Sequence, residues 1–94
     1  MAIQSAGEFE VTLSSALLSL DRMLNEAPKN AALLQVRRSL GQVHASVRKK
    51  EPFTKKQAAA LATAAEAMRA AGDDPDMPDL LFDLHDYLEQ HLPT

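Results

Sequence analysis

Apolar residues recur at steps of three and four along most of this chain, and three short breaks interrupt that spacing. A period of about 3.6 residues is typical of an amphipathic α-helix, whereas a half-buried strand needs strict alternation of apolar and polar residues. The breaks fall around Pro28, Pro52 and Gly72, residue types that end helices. The pattern therefore predicts four helices and no strands.

The predicted helices cover about residues 7–26, 30–49, 55–71 and 77–92. The connections are short, and short connections in helical bundles join antiparallel neighbours. A chain of 94 residues makes one domain. We therefore expect an all-α fold, a single up-down bundle of four antiparallel helices that spans residues 1–94.

Polar residues at the predicted helix starts can accept hydrogen bonds from amides that have no partner in the first turn. Asn30 and Asp76 are the predicted N-caps of the second and fourth helices. Thr54 and Gln57 have the spacing of a capping box at the start of the third, and Phe53 precedes them as a hydrophobic staple.

One side of each predicted helix is apolar and should face the core. Val11 and Leu18 lie off the apolar stripe of the first helix and are predicted to remain on the surface. The predicted core residues are Phe9, Leu13, Ala16, Leu17, Leu20, Leu24, Ala27, Leu33, Val36, Leu40, Val43, Val47, Ala58, Leu61, Ala65, Met68, Met77, Leu81, Leu84, Leu88 and Leu92.

Charge is divided unevenly along the chain, although the net charge is only −3. Residues 1–21 carry three acids, residues 22–56 carry nine Lys or Arg against two Glu, and residues 57–94 carry one Arg against eight acids. The three segments therefore differ in sign. The last segment either solubilises the bundle or meets a basic partner.

The sequence lacks the residue patterns that metal binding, catalysis and nucleic-acid binding require. The chain has no cysteine, and its three histidines do not form a zinc pattern, so we expect no metal and no cofactor. No glycine-rich phosphate loop occurs, and the serines, Ser46 included, are predicted on outer helix faces, so we expect no catalytic residues. The basic residues 48–56 lack a recognition helix, which disfavours nucleic acid as a partner.

The N-terminus lacks the pattern of a signal peptide, and no segment has 18 consecutive apolar residues. The sequence therefore predicts a protein that makes no membrane contact, and the absence of cysteine suits the reducing cytoplasm.

The segment 72–91 concentrates acids and apolar residues on the fourth helix. On a helical wheel its carboxylates fall opposite the apolar stripe, and Phe82 falls among them, directed away from the core. A large apolar side chain surrounded by carboxylates is typical of an interface anchor, although a solubilising face is the alternative. The candidate partner-binding residues are Asp74, Asp76, Asp79, Phe82, Asp83, Asp86 and Glu89.

The order of several segments resembles a known family. ALLSLDRML at 16–24 is followed by Pro28, ALLQ at 32–35, SLGQV at 39–43 and, after a third helix, DDPDMPDLLFDLHDYL at 73–88. This order is similar to that of the small all-helical immunity proteins that neutralise NAD-hydrolysing toxins of type VI secretion. The acid-rich turn and the end from Leu81 to Tyr87 match best, and the alanine-rich third helix departs most.

The resemblance implies an inhibitor without chemistry of its own, which acts in interbacterial competition. It would bind a cognate toxin in the cytoplasm and block the toxin's active site. The alternative is a small helical secretion chaperone or adaptor that covers an apolar segment of a partner protein. A third alternative is a structural subunit of a larger assembly. A homodimer also remains open.

Overall fold

The predicted all-α bundle is confirmed. The computed structural model describes residues 3–71 and 76–92, and these residues contain four helices and no strand. The helices are α1 (Ala6–Glu26), α2 (Ala31–Lys49), α3 (Lys55–Ala71) and α4 (Asp76–Gln90). Each helix packs against the next, and α4 also packs against α1, which closes the bundle.

Three of the four helix starts follow predictable capping chemistry. Ser5 Oγ accepts from the amide of Glu8, 3.1 Å away, and Asn30 Oδ1 accepts from Leu33 at 3.2 Å. At α3 the capping box is confirmed in both directions, since Thr54 Oγ1 and Gln57 Oε1 each accept the other residue's amide at 3.1 Å. These contacts satisfy amides that a helix leaves without partners in its first turn.

The fourth helix begins one residue earlier than predicted. Asp76 is the first helical residue of α4, so the prediction that it serves as an N-cap outside the helix is wrong. Its carboxylate still lies in the first turn, where negative charge is favourable beside the positive pole of the helix dipole. At the other end α4 stops at Gln90, two residues before the predicted end.

The core is a single apolar cluster to which all four helices contribute. Most of the predicted core residues are buried; Leu24, Ala27, Val47 and Leu92 are half-buried near helix ends. Small side chains are frequent on α3, where Ala58, Ala64 and Ala65 are buried. The seam of α2, which contains Leu40, is fully enclosed.

One prediction about the serines is wrong. Ser46 is only 7% exposed, on the inner side of α2, and its hydroxyl accepts from Gln57 Nε2 at 2.8 Å. This hydrogen bond makes the burial of a polar group tolerable, and it joins the end of α2 to the start of α3. A side chain from the next helix thus supplies the partner that the α2 sequence by itself does not reveal.

Candidate functional site

The acidic face of α4 is the first candidate surface. Five carboxylates follow one another at steps of three or four residues, and α4 contains no Lys or Arg. Four of the five side chains are exposed and that of Asp83 is half-buried. We define this surface as the acidic face; its members are Asp76, Asp79, Asp83, Asp86 and Glu89.

A histidine lies at the edge of the acidic face. His85 Nε2 is 3.1 Å from Glu89 Oε1, and His85 Nδ1 is 3.4 Å from Asp86 Oδ1. A protonated imidazole forms an ion pair with both carboxylates, whereas a neutral one offers at most one N–H. His85 therefore contacts two of the five carboxylates of the acidic face.

The helical wheel predicted that Phe82 points away from the core, and this prediction is wrong. The structure places it half-buried, and its ring packs against the apolar cluster. The helix has neighbours on two sides, since α3 and α1 both pack against it. A wheel locates only where a side chain leaves the backbone, and a long aromatic side chain can turn back from there toward a flanking helix.

The structure brings together most of the predicted partner-binding residues. Asp76, Asp79, Asp83, Asp86 and Glu89 share the acidic face, and Phe82 lies on the same helix but contributes to packing. Asp74 lies outside the residues that the structure describes. The candidate surface is thus a row of carboxylates without an exposed aromatic anchor.

A pocket at one end of the bundle is the second candidate site. In an up-down bundle, the start of α1, the end of α2, the start of α3 and the end of α4 meet at the same end. There they enclose about 350 Å³. We call this site the end pocket; it is lined by Ala6, Phe9, Glu10, Ser46, Val47, Lys50, Glu51, Phe53 and Tyr87.

Four rings form a continuous stack beside the end pocket. Phe53 meets Phe9 edge to face with centroids 5.6 Å apart, and Phe9 lies flat against Tyr87 at 4.5 Å. His91 covers the other face of Tyr87 at 4.1 Å, and its Nδ1 donates to the Tyr87 carbonyl at 2.9 Å. Both faces of the Tyr87 ring are therefore covered.

Tyr87 is one of the residues that line the end pocket. The residue is only 8% exposed, yet among the described residues no buried side-chain oxygen or nitrogen lacks a hydrogen-bond partner. No hydrogen bond joins the Tyr87 hydroxyl to another described residue. The hydroxyl is therefore open to solvent and can donate to or accept from a ligand.

The backbone that follows α2, beside the end pocket, forms a left-handed turn at Lys50. Lys50 has φ 57°, a conformation that non-glycine residues seldom adopt. Its amide donates to the carbonyl oxygens of Ser46 and Val47, and the amide of Glu51 donates to that of Ser46 at 2.9 Å. This closing motif of α2 turns the chain so that Glu51 and Phe53 reach the pocket.

The residues of the end pocket form no local pattern in the sequence. The aromatic residues of the pocket are far apart in the chain, and the signal that could have found them is topological. Phe9 lies in the first turn of α1, Phe53 just before α3 and Tyr87 in the last turn of α4. Antiparallel helices bring those three positions to one end of the bundle.

A third surface feature lies on α1. The Val11 side chain is 68% exposed and that of Leu18 is 64% exposed, as predicted from their position off the apolar stripe. They are two helical turns apart and therefore point in nearly the same direction. Leu34 on α2, 45% exposed, is the remaining large apolar side chain that the described residues expose.

The described residues give little support to other kinds of site. Within residues 3–71 and 76–92, no three His, Asp or Glu side chains are arranged to hold a metal ion. None of the described helices combines the length and apolar character that crossing a bilayer requires.

The geometry defines the class of the protein as a four-helix bundle with an acidic face and an aromatic end pocket. Comparison with protein-family models, with curated proteins and with solved structures finds no match to this chain.

Proposed function

We propose that this chain is an immunity protein, which binds a cognate secreted bacterial toxin in the cytoplasm and blocks it. The observation that carries the proposal is the acidic face of α4, where five carboxylates occur without a Lys or Arg on the same helix. The resemblance of the segments at 16–43 and 73–88 to such immunity proteins supports the same conclusion.

The physical argument concerns the charge of the partner. Toxin domains that act on nucleotides bind phosphates, and phosphate sites are basic. A row of carboxylates accelerates encounter with a basic surface and disfavours partners of the wrong charge. An inhibitor of this kind needs no cofactor and no catalytic residue, because occupying the toxin's active site is sufficient.

The proposal predicts that a toxin domain is encoded beside this chain, and the test begins with that pair of proteins. Co-production of the two proteins should restore growth of cells that the toxin alone arrests, and calorimetry should show a stable complex. Asp79→Asn with Asp86→Asn should slow association at low salt and flatten its dependence on salt. Glu26→Gln with Glu66→Gln is the matched control, because it removes two exposed carboxylates from other helices.

The outcomes separate three conclusions. Loss of association rate in the α4 variant but not in the control supports the acidic face as the contact surface. Equal binding by both variants removes α4 from the proposal. Failure of the parent chain to bind or to protect against the neighbouring toxin overturns the immunity function.

Exposed Val11 and Leu18 favour a second candidate function, a small helical secretion chaperone or adaptor. Exposed apolar side chains on one helix face can cover an apolar segment of a partner or pair with a second copy of the chain. Val11→Asp with Leu18→Asp should abolish partner binding under this alternative, while Asp79→Asn with Asp86→Asn should leave it unchanged. The opposite result favours the inhibitor.

A further inference from the structure

We propose that the end pocket binds the guanidinium group of an arginine side chain that a partner protein inserts into it. The inference rests on the proposed function in one respect, that a partner protein supplies the arginine. The pocket lies at one end of the bundle, apart from the carboxylates that define the acidic face of α4.

The charge of the pocket lining favours a cation. Glu10 and Glu51 both line the pocket, and within the described part of the chain neither forms an ion pair. Lys50 is the one cation among the lining residues, and a lysine can extend its long stem to leave its ammonium group in water. A ligand cation therefore meets two carboxylates that lack a partner.

Helix dipoles add to this preference. The C-terminal pole of α2, which is negative, ends at the pocket with Ser46, Val47 and Lys50. The opposing positive pole at the start of α1 is already compensated. There Ser5 Oγ accepts the Glu8 amide, and the Glu8 carboxylate accepts the Gln4 amide at 2.8 Å. The positive pole at the start of α3, which reaches the same end of the bundle, is likewise capped by Thr54 and Gln57.

Shape and polarity favour a guanidinium over an ammonium. Phe53 is the half-exposed ring of the lining, and a planar cation can stack on an aromatic surface in a way that a lysine ammonium cannot. A guanidinium also has five N–H donors in one plane, which suit carboxylate oxygens and the open hydroxyl of Tyr87. The volume of about 350 Å³ suits one inserted side chain.

The chain contains a built-in reporter for this site. Tyr87 is the only tyrosine and the chain has no tryptophan, so tyrosine fluorescence comes from the pocket alone. The whole chain is titrated with N-acetyl-arginine methylamide, and Tyr87 emission is followed beside the amide chemical shifts of Glu10, Val47 and Glu51. The same titration is made with the lysine derivative and with the citrulline derivative, which has nearly the shape of arginine without its charge.

We expect saturable changes with the arginine derivative, weaker ones with lysine and none with citrulline. Glu10→Gln with Glu51→Gln should weaken arginine binding by about tenfold, the usual effect of losing a charge-assisted hydrogen bond. Glu26→Gln with Glu66→Gln should leave it unchanged, because those carboxylates do not line the pocket. Circular dichroism establishes that each variant remains folded.

Three results would overturn the proposal. They are the absence of saturable change with arginine, an equal response to citrulline, and a response to inorganic phosphate instead, which would make Lys50 the centre of an anion site. The titration uses no toxin, so its failure beside intact protection in cells would remove the pocket and leave the immunity function standing. A positive titration beside a failure to neutralise the toxin would remove the immunity function and leave the arginine-binding pocket standing.

Discussion

The ring of Phe9 lies flat on the ring of Tyr87, with centroids 4.5 Å apart and planes inclined by only 17°. This contact joins the first turn of α1 to the last turn of α4, residues 78 positions apart in sequence. It closes the bundle between its first and last helices and supports one side of the end pocket. The same residues therefore contribute both to the stability of the fold and to the candidate site.

The enclosed seam of α2 predicts a large cost for truncating Leu40. The Leu40 side chain is completely buried, so Leu40→Ala should lower the free energy of unfolding by about 2–5 kcal/mol through lost burial and a residual cavity. Leu34→Ala makes the same chemical change on a largely exposed side chain of the same helix, and should change stability by about 0.5 kcal/mol or less. Urea unfolding followed by circular dichroism measures both. Equal effects of the two changes would show that α2 is rotated about its axis.

Opposite effects are predicted for two threonines, Thr54 at the cap before α3 and Thr63 within α3. Thr54→Ala removes the oxygen that accepts the Gln57 amide and should cost about 1 kcal/mol. Thr63 is exposed in the middle of α3. Thr63→Ala replaces a β-branched residue with the best helix former and should raise the free energy of unfolding by a few tenths of a kcal/mol. Thermal melts of the two variants check the contrast. A destabilised Thr63→Ala beside a neutral Thr54→Ala would contradict it.

Patterns that are local in sequence predicted the helices and much of the core. The α2 seam follows from residue spacing, and the capping box follows from two residues three positions apart. Ser46 and Phe82 were misplaced because neighbouring helices decide their surroundings. Gln57 of α3 supplies the partner of Ser46, and the Phe82 ring packs against the apolar cluster between helices. The end pocket likewise depends on four helix ends that only the folded chain brings together.

The left-handed turn after α2 predicts a stabilising substitution. Lys50 adopts φ 57°, which is unfavourable for a residue with a Cβ atom but not for glycine. Lys50→Gly should therefore raise the free energy of unfolding by about 0.5–1 kcal/mol, with relief of strain exceeding the added flexibility of the unfolded chain. Lys49→Gly removes the same charge from the last helical residue and should destabilise by about the same amount. If both substitutions destabilise the chain, the turn is not strained at Lys50.

The position of Phe82 predicts how the acidic face can be examined without unfolding it. Because the ring is half-buried against the core, Phe82→Ala should lower the free energy of unfolding by about 1–3 kcal/mol, less than for a fully enclosed phenylalanine. Phe82→Leu retains most of the apolar contact and should lose less than half as much. Asp79→Asn, on the exposed side of the same helix, should be nearly neutral in unfolding experiments.

Binding data on the two Phe82 variants then show whether the ring acts through packing or contacts the partner. If Phe82 acts through packing, Phe82→Leu should bind the toxin domain like the parent chain, and Phe82→Ala should do so at temperatures where it is fully folded. A large rise in the dissociation rate of folded Phe82→Leu would contradict this, because it would mean that the ring itself contacts the partner. The carboxylates around it would then form the polar rim of an interface with Phe82 at its centre.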